Sequence, residues 1–285
     1  MDDILTKCFE PFEMAMASDS DDLAAYCLDT LQKVVSIYKF SGRLYDPKNR
    51  QRLFVDYLII SISKCYEKFY NSTKVEIQLL KLLVVLVTTS GSQIHGDSLM
   101  TAIRLCYNIH TITSSRSNQN LAYDSLLTMM AHVYKRATEI EFPFMAGYFI
   151  DREIFLANIA QTEEEKIRSA LDMVVDATVL SEQIQANYYI DALNIFKIFS
   201  KLLTKSFAES NSTNSLHSKE NLSKKLSLKL IYRILINYQS LIATPAFVEV
   251  FLQIFLLFFL EKNCKFKGYV IYFLFLTHAL LQKSF

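Results

Sequence analysis

From Thr73 to Val87 the chain reads TKVEIQLLKLLVVLV. Its first four residues have the form of a capping box, in which a threonine and a glutamate three positions on satisfy free N–H groups at a helix start. The remainder, Leu79–Val87, is apolar on nearly every side when wound at helical pitch. Such a helix is expected at the centre of a protein, covered by neighbours. The flanking sequence supplies them. Ser20 before Asp21 and Asp22, Asp46 before Pro47, and Asp97-Ser98 repeat the signature of a helix start. Starts therefore fall every 25 residues or so, about one helix of four to five turns plus a short loop each time.

Between these starts the apolar period is helical. Leu23, Cys27, Leu31, Val34, Val35 and Tyr38 share one face, and Phe54, Tyr57, Leu58, Ile62, Cys65 and Phe69 share another. One-sided helices repeating at this spacing predict an all-α chain, a right-handed α-solenoid of antiparallel helices of the armadillo or HEAT kind. Five glycines and four prolines in 285 residues agree, because sheet-rich and Gly-looped folds need far more. With 51% apolar and 21% charged residues the chain is not intrinsically disordered.

Downstream, a break is expected near Glu141–Gly147 and a second capping box at Thr162–Glu165 opens a helix reaching about Gln185. Further helices are expected over Tyr188–Phe207 and Leu222–Tyr238, separated by a polar loop at Glu209–Glu220, and Pro245 starts the last apolar region. Two runs there, Phe247–Leu260 and Tyr269–Leu281, each span roughly 20 Å as helices, short of the ~30 Å hydrocarbon core. Core helices or an interfacial hairpin fit them better than a membrane span.

Charge is near balance at +1 overall but uneven: residues 1–208 carry 21 Lys and Arg against 25 Asp and Glu, residues 209–285 carry 9 against 4. The basic end suits a solvated face, an acidic partner or anionic lipid. The acidic N-terminus does not read as a signal peptide. Cys8, Cys27, Cys65, Cys106 and Cys264 have no metal-ligand spacing and sit among apolar residues, which reads as a reducing compartment. The three sequons, at Asn71, Asn211 and Asn221, mark polar turns.

No chemistry-bearing motif emerges. Gly91–Ser98 has the glycine spacing of a phosphate loop, but Asp97 stands where the lysine must be and would repel phosphate; it reads as a helix cap. No pair among His95, His110, His132, His217 and His278 has zinc-site spacing, and Glu163–Glu165 read as first-turn capping charge. No nucleophile elbow is present. The basic stretch Lys219–Arg233 lacks the interleaved aromatics of a nucleic-acid site. The expectation is a binding protein with no catalytic, metal or cofactor site.

One stretch goes beyond fold class. IHGDSLMTAIRLCYNIH from Ile94 to His110, NQNLA from Asn118 and LTMM from Leu127 resemble the N-terminal dimerisation and cyclophilin-binding (DCB) domain of the large, brefeldin-A-inhibited Arf guanine-nucleotide exchange factors. The likeness extends over FEPFE from Phe9, CLDTLQK from Cys27 and QLLKLL from Gln78, and ends near Arg136. DALNIFK from Asp191 and the stretch Leu226–Asn237 are similar to the opening of that family's second helical (HUS) domain. The implied organisation is a DCB-like domain over residues 1–141, connecting helices over 142–186, a partial HUS-like domain over 187–263 and a divergent apolar tail over 264–285, where similarity is lost as it would be after a read-through intron.

The resemblance implies a non-catalytic regulatory region of a Golgi exchange factor, whose catalytic domain would lie beyond Phe285. Implied partners are Arf/Arl-type small GTPases, a second copy of the chain and the membrane, with the protein cytoplasmic and peripheral on trans-Golgi membranes, and no nucleic acid or cofactor. The partner surface is expected on the helices at Leu99–Ile112 and Asn118–Ala137, with Arg104, Tyr107 and Asn108 as candidate contacts, since Tyr and Arg dominate interface hot spots. Three alternatives stand beside this: a scaffold similar to the Mon-two proteins, a membrane protein anchored by the C-terminal apolar hairpin, and a hydrolase with an unrecognised site.

Overall fold

The computed structural model describes residues 2–38, 45–46, 49–89, 94–139, 177–205 and 214–251. The helices are α1 (Asp2–Ala17), α2 (Asp21–Tyr38), α3 (Phe54–Lys68), α4 (Thr73–Thr88), α5 (Gly96–Ile112), α6 (Arg116–Thr138), α7 (Ala177–Lys205), α8 (Asn214–Asn237) and the single turn α9 (Gln239–Ile242). Residues 245–251 are helical as well. Strands β1 (Tyr45–Asp46) and β2 (Asn49–Leu53) form a small antiparallel ribbon before α3. The described structure is all-α apart from that ribbon.

Helices pack both with the next but one and with their sequence neighbours, α5 against α6 most extensively among the latter. α1, α3 and α5 lie in one layer, α2, α4 and α6 in the other; α7 extends the second layer against α6, and α8 extends the first against α5. α4 is sandwiched between α2 and α6, and Leu79, Leu80, Leu82, Leu83 and Leu86 are fully buried. The all-round apolar helix is thus central, as its composition requires. The expected face of α3 is also inward: Phe54, Tyr57, Leu58, Ile62 and Cys65 are buried and Phe69 half-buried.

Several expectations are corrected. Asp46-Pro47 does not start a helix: Asp46 lies in β1, fully buried, its carboxylate accepting from Arg52 Nε at 2.8 Å, and α3 begins at Phe54. In Thr73–Glu76 the threonine is already inside α4, Ser72 is the cap residue, and Glu76 is buried among other partners. α2 turns Ala24, Cys27, Leu28, Leu31 and Val35 inward while Leu23 is exposed, because the core-facing stripe runs one position later than Leu23 implied. Ser20 does cap α2, its Oγ accepting from Leu23 N–H at 3.2 Å. α7 runs unbroken through the expected boundary at 185–188, and α8 starts at Asn214, inside the stretch read as a loop. Cys27, Cys65 and Cys106 are buried free thiols but Cys8 is exposed. Burial pushes the thiols of Cys27 and Cys65 up to about 12 and about 11. Asn71 sits in a turn at φ 70°, a conformation asparagine tolerates. The break at Glu141–Gly147, the capping box at Thr162–Glu165, Gly91, Cys264, Asn211 and nearly all of the two C-terminal apolar runs lie outside the described residues.

Candidate functional site

The sequence points to α5 and α6, and the structure shows how they are held. α5 opens on Gly96 at φ +56°, preceded by His95 in extended backbone, whose own side chain makes no capping bond. The cap comes from another element. Asp191 of α7 is buried; its Oδ1 accepts from the Gly96 N–H at 2.9 Å and its Oδ2 lies 2.7 Å from His95 Nδ1. A carboxylate at the positive end of a helix is electrostatically favoured, so Asp191 both caps α5 and ties α7 to it. Asp97, expected as the cap, is exposed in the first turn. A histidine–carboxylate pair is half of a proton relay, yet here both acceptor oxygens are committed to the fold and the His95 ring packs edge-on against Tyr188 at 4.6 Å.

The three candidate contacts do not converge. Arg104 is exposed and makes no ion pair among the described residues. Tyr107, one turn on, is buried against α8: its hydroxyl donates to the Ser223 carbonyl at 2.9 Å and lies 2.7 and 2.8 Å from the Ser223 and Ser227 hydroxyls. Its ring stacks on Phe199 of α7 at 6.1 Å. Burial raises the phenol above its ordinary range, with the two serine hydroxyls pulling the other way. Asn108 is half-buried and its carbonyl accepts from Thr111 Oγ1 at 3.1 Å.

α6 shows the same inward commitment. Tyr134 is fully buried and donates to the Ala192 carbonyl of α7 at 2.8 Å. Phe247, from the helical residues 245–251, packs against Tyr134, Tyr189 and Phe196 at centroid distances of 6.5, 5.7 and 5.5 Å. The Tyr189 hydroxyl lies 2.8 Å from Thr244 Oγ1. The inner faces of α5 and α6 are therefore covered by the chain's own α7 and α8. What remains outward is a strip containing Arg104, with His110 and Tyr123 at its edge.

The contacts that do this covering, made by Asp191, Ser223, Ser227 and Thr244, were not legible in sequence, although Asp191 and Ser227 lie in stretches similar to the second helical domain. Their partners lie 55 to 120 positions away, as for Tyr189 with Thr244 and Tyr107 with Ser227, and no local pattern announces such pairs. Among the described residues no cluster of His, Cys, Asp and Glu could hold a metal ion, and no helix is long and apolar enough to cross a membrane.

Comparison with known proteins places this geometry. Residues 2–140 match the family described as the Mon2/Sec7/BIG1-like dimerisation and cyclophilin-binding domain. Brefeldin A-inhibited guanine nucleotide-exchange protein 1 of Mus musculus is 30% identical over 130 residues, 46% of this chain and 7% of the relative. ADP-ribosylation factor guanine nucleotide-exchange factor sec71 of Schizosaccharomyces pombe is 24% identical over 253 residues, 82% of this chain and 14% of the relative. The SEC7 exchange factor of Saccharomyces cerevisiae is 33% identical over 92 residues, 32% of this chain and 4% of the relative. The chain thus spans a small fraction of the length of the curated relatives it matches. The match covers α1 to α6, the alternating stack built around α4. Residues 2–140 are therefore similar to the Mon2/Sec7/BIG1-like dimerisation and cyclophilin-binding domain, and the relatives that share this similarity are named as guanine nucleotide-exchange factors.

Proposed function

We propose that the chain is a non-catalytic regulatory region of a Golgi Arf guanine-nucleotide exchange factor, which self-associates, binds Arf/Arl-type small GTPases and helps bring the factor to the trans-Golgi membrane as a peripheral cytoplasmic protein. The match of residues 2–140 to the dimerisation and cyclophilin-binding family carries this reading. The similarity to the sec71 exchange factor over 82% of the chain supports extending it past residue 140. On this reading residues 1–141 are the DCB-like domain, 142–186 connect, 187–263 begin a HUS-like domain and 264–285 are a divergent tail. The alternating two-layer packing is what a right-handed α-solenoid would produce, and such stacks offer long surfaces to partners. A non-catalytic scaffold like the Mon2 proteins is the second reading, favoured by the inclusion of Mon2 in the matched family.

Arg104 is the residue assigned to GTPase contact, being exposed and without an ion-pair partner among the described residues. Tyr107 and Asn108 serve it by position: Tyr107 fixes α5 against α8 and Asn108 borders the same face. The test is binding of the chain to Arf- and Arl-type GTPases loaded with a non-hydrolysable GTP analogue. Arg104→Ala is expected to weaken that binding about tenfold, the scale of an interface arginine, with unchanged helicity. Loss of binding by Tyr107→Phe with Arg104→Ala fully active would overturn the assignment. Nucleotide release from an Arf by the purified chain would overturn the non-catalytic reading.

A further inference from the structure

We propose that the exposed face of α8 is a docking surface for an anionic lipid bilayer. The proposal rests on the reading of this region as one that works at a membrane, and adds to it where the contact is made. Lys225, Lys229, Tyr232, Arg233 and Ile236 are all exposed. At 100° per residue Lys225, Lys229, Tyr232 and Ile236 fall within one narrow stripe, with Arg233 beside it, over about 16 Å of helix. None of the three cations has an ion-pair partner among the described residues. Lys229 instead has its ammonium 5.8 Å from the ring centre of Tyr123 on α6. From Asn221 to Tyr238 the sequence contains no Asp or Glu, so nothing along the helix neutralises the stripe.

Three features choose a bilayer over other acidic partners. The cations are spaced along one exposed side of a helix, which suits an extended field of acidic groups better than one small anion. Tyr232 and Ile236, each 37% exposed, sit among the cations rather than apart from them. An amphipathic tyrosine with an aliphatic neighbour, framed by Lys and Arg, matches the headgroup boundary, where rings and methyls enter the acyl edge while cations stay at the phosphates. The opposite side of α8 is fully engaged, with Leu226, Leu230, Ile231, Ile234 and Leu235 buried in the core, so the helix is held rigid with this stripe outward.

Each cation near an anionic surface strengthens binding about fivefold, so three together contribute roughly a hundredfold. The test is co-sedimentation of the full chain with phosphatidylcholine vesicles with and without phosphatidylserine. Binding is expected only with phosphatidylserine, and should weaken as salt rises. The triple variant K225Q/K229Q/R233Q is expected to lose about a hundredfold in partitioning. The control K64Q/K81Q/K135Q removes equal charge from exposed positions elsewhere and should lose far less, with circular dichroism of both unchanged. Equal losses from the two triples, no binding by the parent chain, or tighter binding to soluble polyglutamate than to vesicles would each overturn the proposal. Recruitment only to vesicles carrying an activated Arf-type GTPase would overturn it too, yet leave the regulatory reading standing. Phosphatidylserine binding with no response to any GTPase would do the reverse.

Discussion

Glu76 shows how far a residue's role can depart from its local signal. Its spacing from Thr73 has the form of a cap, but its carboxylate is 1% exposed and Oε2 accepts from Thr113 Oγ1 and Asn118 Nδ2, both at 2.7 Å. Asn118 Nδ2 also reaches the Thr73 carbonyl at 3.1 Å. One buried acid thus pins the start of α4 to the turn between α5 and α6. Hydrogen bonds to a charged acceptor are worth about 1.5–3 kcal/mol each, and donors left unmatched in a core add their own penalty. Glu76→Ala should cost about 3 kcal/mol or more, and Glu76→Gln, which keeps an acceptor, about half that. Urea unfolding midpoints read both; equal midpoints for the parent chain and Glu76→Ala would show the carboxylate to be idle. Sequence could not reveal this role, since its partners lie 37 and 42 positions downstream and a capping glutamate looks identical.

At the scale of elements, helices with a strong apolar period were legible, and so were the starts of α2, α4 and α5 to within a residue or two, but the start of α3 was not. The inward faces of α3 and α4 follow directly from residue spacing, whereas the ribbon before α3 does not. Asp46-Pro47 has the chemistry of a helix start, but Arg52 across the ribbon engages the Asp46 carboxylate instead. The start of α5 makes the same point with more consequence. Asp97 is the local candidate for its cap, yet the acceptor that closes the Gly96 N–H belongs to Asp191, 95 positions later. Without Asp191 the end of α5 is uncapped and His95 loses its carboxylate at once. Asp191→Ala should destabilise the chain by about 2–3 kcal/mol, while Asp191→Asn, which still accepts from Gly96, should retain most of that. Hydrogen exchange locates the effect: faster exchange in the first turn of α5 is expected for Asp191→Ala, and a loss spread evenly over all helices would count against the capping role.

Over the whole molecule, the fold class was readable because nine glycines and prolines leave little besides helices, while the docking of residues 177–205 and 214–251 was not, because the contacts that make it are remote in sequence. Those contacts also set the response to pH. His110 is held below its ordinary range by burial, opposed by the hydrogen bond from Nδ1 to the Gln119 carbonyl, with Lys229 of α8 lowering it further. His132, on α6, is lowered by burial and then by Arg136, with Glu139 opposing and His95 and Lys135 adding to the shift; Tyr188 of α7 stands edge-on to its ring at 6.0 Å. A histidine whose pKa is lower folded than unfolded binds fewer protons in the native state, so it favours folding above the unfolded value of about 6.5 and loses that advantage as pH falls below it. Ordinary carboxylates are half-protonated only at about pH 4, so most of their titration lies below this interval. Stability should therefore decline from pH 7 to pH 5.5, and His110→Gln combined with His132→Gln should flatten the decline. Both rings border surfaces formed with α7 or α8, so protonation loads positive charge onto the joint between the two parts of the chain: beside Lys229 in one case, beside Arg136 in the other. Hydrogen exchange in α6 and α7 should quicken over the same interval as the denaturation midpoint falls. Stability that is level or increasing from pH 7 to 5.5, or a decline unchanged in the double variant, would show that these histidines do not govern the joint.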